Sequence, residues 1–184
     1  MLYSALCASG RIEKPAIEAV NALIRRGAPV DLAVAAATGL MKDACRLLTN
    51  ANSEDRHCAL ALAAQFGHIE IVRLLLDAGE DPSRYNPIGL HSHSTPLHQS
   101  ALAGHHQVVR LLVERGARLD IKDTLWQGTP AGWARYSGKA EIEEYLRARR
   151  ALTGESACPR RATSPPQAEG PPHQEQPTEM SKLQ

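Results

Sequence analysis

The sequence predicts an all-α repeat solenoid of about five helix-turn-helix units with extended finger loops. Residues 95–117, TPLHQSALAGHHQVVRLLVERGA, match residues 58–80, CALALAAQFGHIEIVRLLLDAGE, in their small residues, their glycine and their Val and Leu pairs. The same frame extends to residues 129–146, 30–48 and 1–10. Repetition at a period near 33 residues is the signature of stacked repeat units. The glycines that mark this period are Gly10, Gly39, Gly67, Gly104 and Gly138.

Each unit is expected to contain two short helices. The first, of about nine residues, is rich in Ala and Leu and ends at one of these glycines, because glycine readily takes the left-handed conformation that ends a helix. The second carries apolar residues three and four positions apart, as in Ile71, Val72, Leu74 and Leu75. Helices this short are marginal alone, so neighbouring pairs must stack to enclose their apolar faces.

The repeat domain is assigned to residues 1–152. In its last unit, Glu141, Glu143 and Glu144 make the second helix polar on its outside, as expected of a unit that caps the end of a stack. The units begin and end at about residues 1–29, 30–56, 57–93, 94–127 and 128–152.

Residues 153–184 differ abruptly in composition from the repeats. They include six prolines, few large apolar residues and no periodicity, so they cannot bury enough surface to offset the entropy of ordering. Their Pro-Pro pairs favour polyproline II, but the PxxP spacing is absent. The segment is predicted to be a disordered Pro-rich tail.

Composition excludes several classes of function. The 21 basic and 20 acidic residues leave a net charge of +1, which argues against a nucleic-acid or membrane-surface partner. The four cysteines form no CxxC pair, so we expect a reducing, cytoplasmic location with no structural zinc or disulfide framework. No apolar run is long enough to span a membrane, and no nucleophile elbow, phosphate loop or HExxH motif occurs. We expect a monomeric, non-catalytic protein without a cofactor.

At residues 94–123 the chain resembles a known family. The segment STPLHQSALAGHHQVVRLLVERGARLDIKD is similar to the ankyrin repeat, whose pattern is TPLHxAAxxGHxxVVxLLLxxGA followed by an extended finger. The resemblance covers roughly 150 residues. The segment ALALAAQFGHIEIVRLLLDAG and the long finger containing RYNPIG are also similar to those of small ankyrin proteins of bacteria. The resemblance implies an L-shaped stack of helix pairs with projecting fingers, and a function in binding a protein partner.

The TPLH motif has a physical role of its own. Thr95 can cap the helix with its hydroxyl, and Pro96 suits the first helical position, where a missing N–H costs nothing. The resemblance implies that His98 hydrogen-bonds backbone groups near the turn as a neutral ring. His105, at the GH position shared with His68, is likewise expected to support the scaffold.

The finger between Gly79 and Thr95 is longer than the others by about four residues and is punctuated by prolines and a glycine. Long loops on a rigid scaffold often carry function. His91 and His93 lie two apart in this extended segment, so their side chains could converge. An alternative function is therefore a metal-dependent binder or sensor using His91, His93 and His106, although zinc needs three or four ligands.

The aromatic residues point to the partner surface. Only seven residues are Phe, Trp or Tyr, and exposed Trp and Tyr are common anchors of interfaces. Among repeats of this kind, the two residues before the inter-helix glycine face a concave groove, and large ones occur only in units three to five. For Trp133, packing at the end of the stack competes with binding. The predicted partner-binding residues are Phe66, Tyr85, Ile88, Leu90, His91, His93, Leu102, Trp126 and Tyr136.

Overall fold

The computed structural model describes the backbone of residues 14–153 and the side chains of residues 17–153. The first helix expected in residues 1–10 and the disordered tail expected after residue 153 lie outside the described residues. Within the described range the chain forms helices and no strand, and none of these helices has the length and apolar character needed to cross a bilayer. The helices are α1 Lys14–Arg25, α2 Leu32–Thr38, α3 Met41–Leu48, α4 Ser53–Phe66, α5 Ile69–Asp77, α6 Pro96–Ala103, α7 His106–Glu114, α8 Pro130–Tyr136 and α9 Ala140–Leu152.

The helices form two layers. The inner layer stacks α2, α4, α6 and α8 in succession, and the outer layer stacks α3 on α5 and α5 on α7. Each inner helix also packs on the outer helix that follows it, as α8 does on α9. The predicted all-α repeat solenoid is confirmed.

Small side chains let the inner helices approach closely. Ala35, Ala36, Ala63 and Ala64 are fully buried in the inner layer. The outer helices contribute larger apolar side chains to the same core, among them Val72, Leu75, Val108 and Leu112. Because every unit buries apolar surface mainly against its neighbours, the stability of the stack resides in the interfaces between units.

Histidines couple neighbouring units at the turns between helices. Gly39 and Gly67 end α2 and α4 with φ of 77° and 81°, values that glycine adopts without strain. The His68 ring lies over Gly39 and its Nε2 is 3.1 Å from the carbonyl oxygen of Ala37. The His105 ring lies over Gly67 in the same way, and its Nε2 is 3.0 Å from the carbonyl oxygen of Gln65. The scaffold role expected for His105 is confirmed.

Helix α4 is longer than the nine residues expected of a first helix. It has 14 residues and begins at Ser53 rather than near residue 57. Asn52 caps it by accepting a hydrogen bond from the backbone N–H of Asp55 at 2.8 Å, a strong N-cap arrangement. The additional turn carries Arg56 and His57, which contact the finger that follows α5.

Substitution of Gly67 tests the coupling of units by His105. In Gly67→Ala, the new Cβ would lie 2.6 Å from His105 Nδ1, so the imidazole ring must move. The hydrogen bond between His105 Nε2 and the carbonyl oxygen of Gln65 is then lost. Gly79→Ala is the matched control, since Gly79 has φ of +89° but no atom near its Cβ position. Both variants carry the left-handed penalty of about 1 to 2 kcal/mol. We expect Gly67→Ala to lose about 1 kcal/mol more in urea unfolding, and equal losses would contradict the coupling.

Candidate protein-interaction surface

Two fingers project from the described part of the stack: finger 1, residues 80–94, and finger 2, residues 117–128. The base of finger 1 is fixed to the first turn and a half of α4. Arg56 Nε donates to Glu80 Oε1 at 2.8 Å, and His57 Nε2 lies 2.9 Å from the carbonyl oxygen of Tyr85. Glu80 and His57 are both buried. An exposed pair between Arg84 and Glu54 adds a third link. Finger 1 is therefore held at its base by polar contacts made inside the protein.

The two sides of finger 1 meet at Asn86 and Ser94. The backbone N–H of Asn86 donates to the carbonyl oxygen of Ser94 at 2.8 Å, and both residues are buried. Successive turns complete the loop: the N–H of Leu90 donates to Pro87, and that of Ser94 donates to His91. His91 takes φ of +56°, an uncommon conformation for a residue with a side chain. The finger is ordered by turns rather than by strand pairing.

Leu90 is not part of the outer surface of finger 1. Its side chain is only 2% exposed and belongs to the apolar core. The prediction that Leu90 contacts a partner is therefore corrected, because a buried leucine cannot reach a partner unless the finger opens. Proline and glycine neighbours made this residue resemble a loop position, but the turn at Pro87 directs it inward.

Finger 2 is organised around the buried carboxylate of Asp123. This side chain accepts hydrogen bonds from the backbone N–H groups of Leu125, Trp126 and Gly128 and from the indole of Trp133, at 2.6 to 3.0 Å. Burial alone would raise the pKa of Asp123, but these bonds outweigh it and hold the pKa below its usual value. A Cβ at Gly128 would lie 2.9 Å from Asp123 Oδ2. The carboxylate thus fixes the loop and joins it to α8.

The two fingers contact each other along their length. Tyr85 Oη donates to the carbonyl oxygen of Lys122 at 2.7 Å, and the N–H of Thr124 donates to the carbonyl oxygen of His93 at 2.9 Å. The His93 ring packs edge-on against Trp126, with centroids 5.2 Å apart. Trp126 also lies 6.1 Å from Trp133. The fingers therefore present a continuous surface instead of two separate tips.

The exposed apolar residues of this region form what we term the finger surface: Tyr85, Ile88, Leu125 and Trp126. Ile88 is 92% exposed, Leu125 62%, Trp126 54% and Tyr85 40%. Apolar side chains of this exposure on neighbouring ordered loops are typical of interaction sites. His91 and His93 are half-buried at its edge.

The predicted groove residues differ in their exposure. Tyr136 is 61% exposed at the end of α8. Phe66 and Leu102 are half-buried, and Phe66 also packs against the core. Trp133 is half-buried and donates its indole N–H to Asp123, so packing at the last unit is its structural role.

His98 performs the scaffold role that the resemblance implied. Its ring is fully buried, and Nδ1 accepts from the backbone N–H of Thr95 at 3.3 Å. The ring proton therefore lies on Nε2, which donates to the carbonyl oxygen of Gly128 at 3.1 Å. Burial lowers the pKa of His98 to about 4. His98 thus connects the start of α6 to the end of finger 2 as a neutral ring.

The finger histidines converge as expected, but without a third ligand. The rings of His91 and His93 meet edge-on with centroids 5.7 Å apart. His106, the third member of the alternative metal site, instead pairs with Glu141 at 3.6 Å on the outer layer. Residues 17–153 contain no group of three or more His, Cys, Asp or Glu side chains placed to hold a metal ion.

Four residues that shape this surface were not predicted from the sequence. Arg56 and His57 lay at the assumed boundary of unit three, although the capping signal of Asn52 with Glu54 and Asp55 marks an earlier helix start. Leu125 was not singled out beside Trp126. Asp123 directly precedes the loop sequence TLWQG, and nothing in that local sequence marks its side chain as buried, so its role also required the structure.

Comparison with known proteins agrees with this architecture. A family model described as ankyrin repeats, three copies, matches residues 6–86, and a single ankyrin repeat model matches residues 92–124. The chain is 31% identical over 125 residues to human cyclin-dependent kinase 4 inhibitor B, which covers 66% of this chain and 88% of that protein. It is 32% identical over 111 residues to cyclin-dependent kinase inhibitor 2A of Monodelphis domestica, covering 60% of this chain and 63% of that protein.

A mouse relative, ankyrin repeat and SAM domain-containing protein 6, is 34% identical over 95 residues. The match covers 52% of this chain but 10% of that protein. The chain therefore spans less than two thirds of several of the curated relatives that it matches.

Acid should destabilise the fingers. Burial lowers the pKa values of His57, His91, His93 and His98, so the unfolded chain binds more protons than the folded chain below pH 6.5. The resulting loss of stability begins near pH 6.5 and continues down to pH 4, where His98 also becomes protonated in the folded state. A shift from 6.5 to about 4 for His98 corresponds to about 3 kcal/mol.

The measurement is urea unfolding at pH 7.5, 6.5, 5.5 and 4.5. Stability that is unchanged between pH 6.5 and 4.5 would contradict the buried neutral histidines.

A pair of substitutions in finger 1 separates core from surface. Leu90→Ala removes a buried side chain and should cost about 2 to 5 kcal/mol. Ile88→Ala removes an exposed one and should change stability by less than about 0.5 kcal/mol. Thermal or urea unfolding measures both, and similar effects for the two variants would show that the finger is not ordered as described.

Proposed function

Because the chain belongs to the ankyrin repeat family, we propose that it is a non-catalytic protein-interaction module whose partner contacts the fingers and groove of units three to five. The proposed units are those assigned from the sequence, except that the third begins with α4 at Ser53. The proposed protein is monomeric and cytoplasmic. Its binding residues are Phe66, Tyr85, Ile88, His91, His93, Leu102, Trp126 and Tyr136, with Leu125 added and Leu90 left out.

The observation that carries this proposal is the finger surface. Its large apolar side chains are exposed although the backbone beneath them is fixed by Asp123 and by buried polar contacts. A rigid surface loses little conformational entropy when it binds, which favours affinity. Tyr and Trp are also the side chains that most often dominate binding energy at interfaces.

The relatives suggest a first class of partner to test. Human cyclin-dependent kinase 4 inhibitor B, most of whose length this chain spans, is named for inhibition of a kinase. A protein kinase domain is therefore the partner class that we would test first, in a binding assay with the purified intact chain.

The proposal predicts that charge on the finger surface or groove abolishes capture of a partner. The test variants are Ile88→Glu with Leu125→Glu for the fingers, and Tyr136→Glu for the groove. All three positions are exposed, so stability should change by less than about 0.5 kcal/mol each. Buried charge in an interface should weaken binding by at least about tenfold.

Leu23→Glu is the matched control, because Leu23 is a 43% exposed apolar residue in α1, outside units three to five. Affinity capture from the native lysate, followed by titration with the captured protein, measures the effect. Capture that survives both test variants but fails with Leu23→Glu would place the interface elsewhere and refute the proposed surface.

A further inference from the structure

We propose that the finger surface binds the proline-rich segment of the chain's own C-terminal tail, residues 165–172, with the sequence PPQAEGPP. In this role the tail occupies the surface when no partner is bound. The consequence for partner binding rests on the function proposed above, whereas the contact between tail and finger surface does not depend on it.

The chemistry of the surface suits proline. Trp126 and Tyr85 offer aromatic faces, and Ile88 adds an apolar side chain that is 92% exposed. Recognition of proline-rich segments uses surfaces lined by aromatic side chains, against which the pyrrolidine rings pack. Trp126 is held in place by His93 and Trp133, so its exposed face is available at a fixed position.

The chemistry of the tail suits this surface. Residues 165–172 contain two Pro-Pro pairs separated by four residues. Proline restricts the backbone before binding, so such a segment loses less conformational entropy when it becomes ordered. The segment has a single charge, that of Glu169, and no large apolar residue. Proline rings are therefore its main apolar groups for contact with an aromatic surface.

The chain leaves the last helix on the finger side of the stack. Helices α8 and α9 are antiparallel neighbours joined by a short turn, with 7 and 13 residues respectively. At 1.5 Å per residue, the six additional residues carry the end of α9 about 9 Å past the start of α8. Leu119 of finger 2 and Arg150 of α9 line one cavity of about 180 Å³. The tail thus begins beside finger 2.

The tail is long enough to reach. From Thr153 to Pro165 the chain has 12 residues, which can span up to about 40 Å when extended. A tether of this kind gives an effective concentration in the millimolar range. A contact with a dissociation constant of about 1 mM would then be half-occupied, so even a weak proline–aromatic contact is sufficient.

A partner that uses the finger surface must displace the tail. If the tail occupies the surface half of the time, the apparent affinity for the partner falls about twofold, and at nine-tenths occupancy about tenfold. Removal of the prolines should then strengthen capture of the partner by the same factor.

The indole N–H signals of the intact protein, measured by NMR without a partner, test the contact. The chain has two tryptophans. Trp126 lies in the finger surface, whereas the indole of Trp133 donates to Asp123 and serves as an internal reference. Substitution Trp126→Phe assigns the two signals. The test variant replaces the four prolines of the segment by serine, and the control variant replaces the prolines on either side of it, Pro159 and Pro177.

We expect the Trp126 signal to move in the test variant and not in the control, with the Trp133 signal unchanged. A peptide of residues 163–174 added to the test variant should return the Trp126 signal toward its original position with a dissociation constant at or below about 1 mM. A Trp126 signal that is identical in the test variant and in the original protein overturns the proposal. So does a signal that changes with protein concentration, because a second copy would then be the occupant.

These outcomes are separate from those of the function test. If the Trp126 signal does not respond to the tail but Ile88→Glu with Leu125→Glu still abolishes partner capture, the tail contact fails and the proposed function stands. If the signal responds to the tail but capture is unaffected by both test variants, the tail contact stands and the proposed partner surface fails.

Discussion

Close approach of successive inner helices is the constraint on which this structure depends. Fully buried alanines permit it, and the left-handed glycines Gly39 and Gly67 allow a histidine of the following unit to lie directly over the turn. One ring nitrogen then reaches a backbone carbonyl of the preceding unit, as His105 does with Gln65. This spacing fixes where each finger leaves the stack, and the fingers can meet only because neighbouring units are held at a constant separation.

The fingers use a second set of polar contacts that no helix supplies. Glu80 at the base of finger 1 and Asp123 within finger 2 are both buried carboxylates with hydrogen-bonded partners. Buried charge is costly unless it is paired or hydrogen-bonded, so these hydrogen bonds favour the ordered conformation of each finger. Exposed apolar side chains can therefore be presented by loops that are nevertheless rigid.

Repetition made the helices of this fold predictable from the sequence, because the same small residues and glycines recur at a fixed period. His105 was assigned correctly for the same reason, since His68 holds the same position in the preceding unit, whereas the role of His98 followed from the resemblance to the ankyrin repeat. Features that occur only once in the chain were harder to predict from the sequence. The extension of α4 depends on contacts between Arg56, His57 and a finger 24 to 28 residues further along the chain. Leu90 was misjudged because whether a loop residue points inward depends on turns that local composition does not specify.

The hydrogen bonds to Asp123 have an evolutionary consequence. Three of its four donors are main-chain N–H groups, those of Leu125, Trp126 and Gly128, and every residue except proline provides such a donor. Gly128 is restricted by the space beside the carboxylate, and Gln127 by its φ of +56°. The side chains at positions 125 and 126 can therefore diverge without loss of the loop conformation, so related proteins could acquire new partners by a few substitutions at one finger while the repeats beneath it remain unchanged.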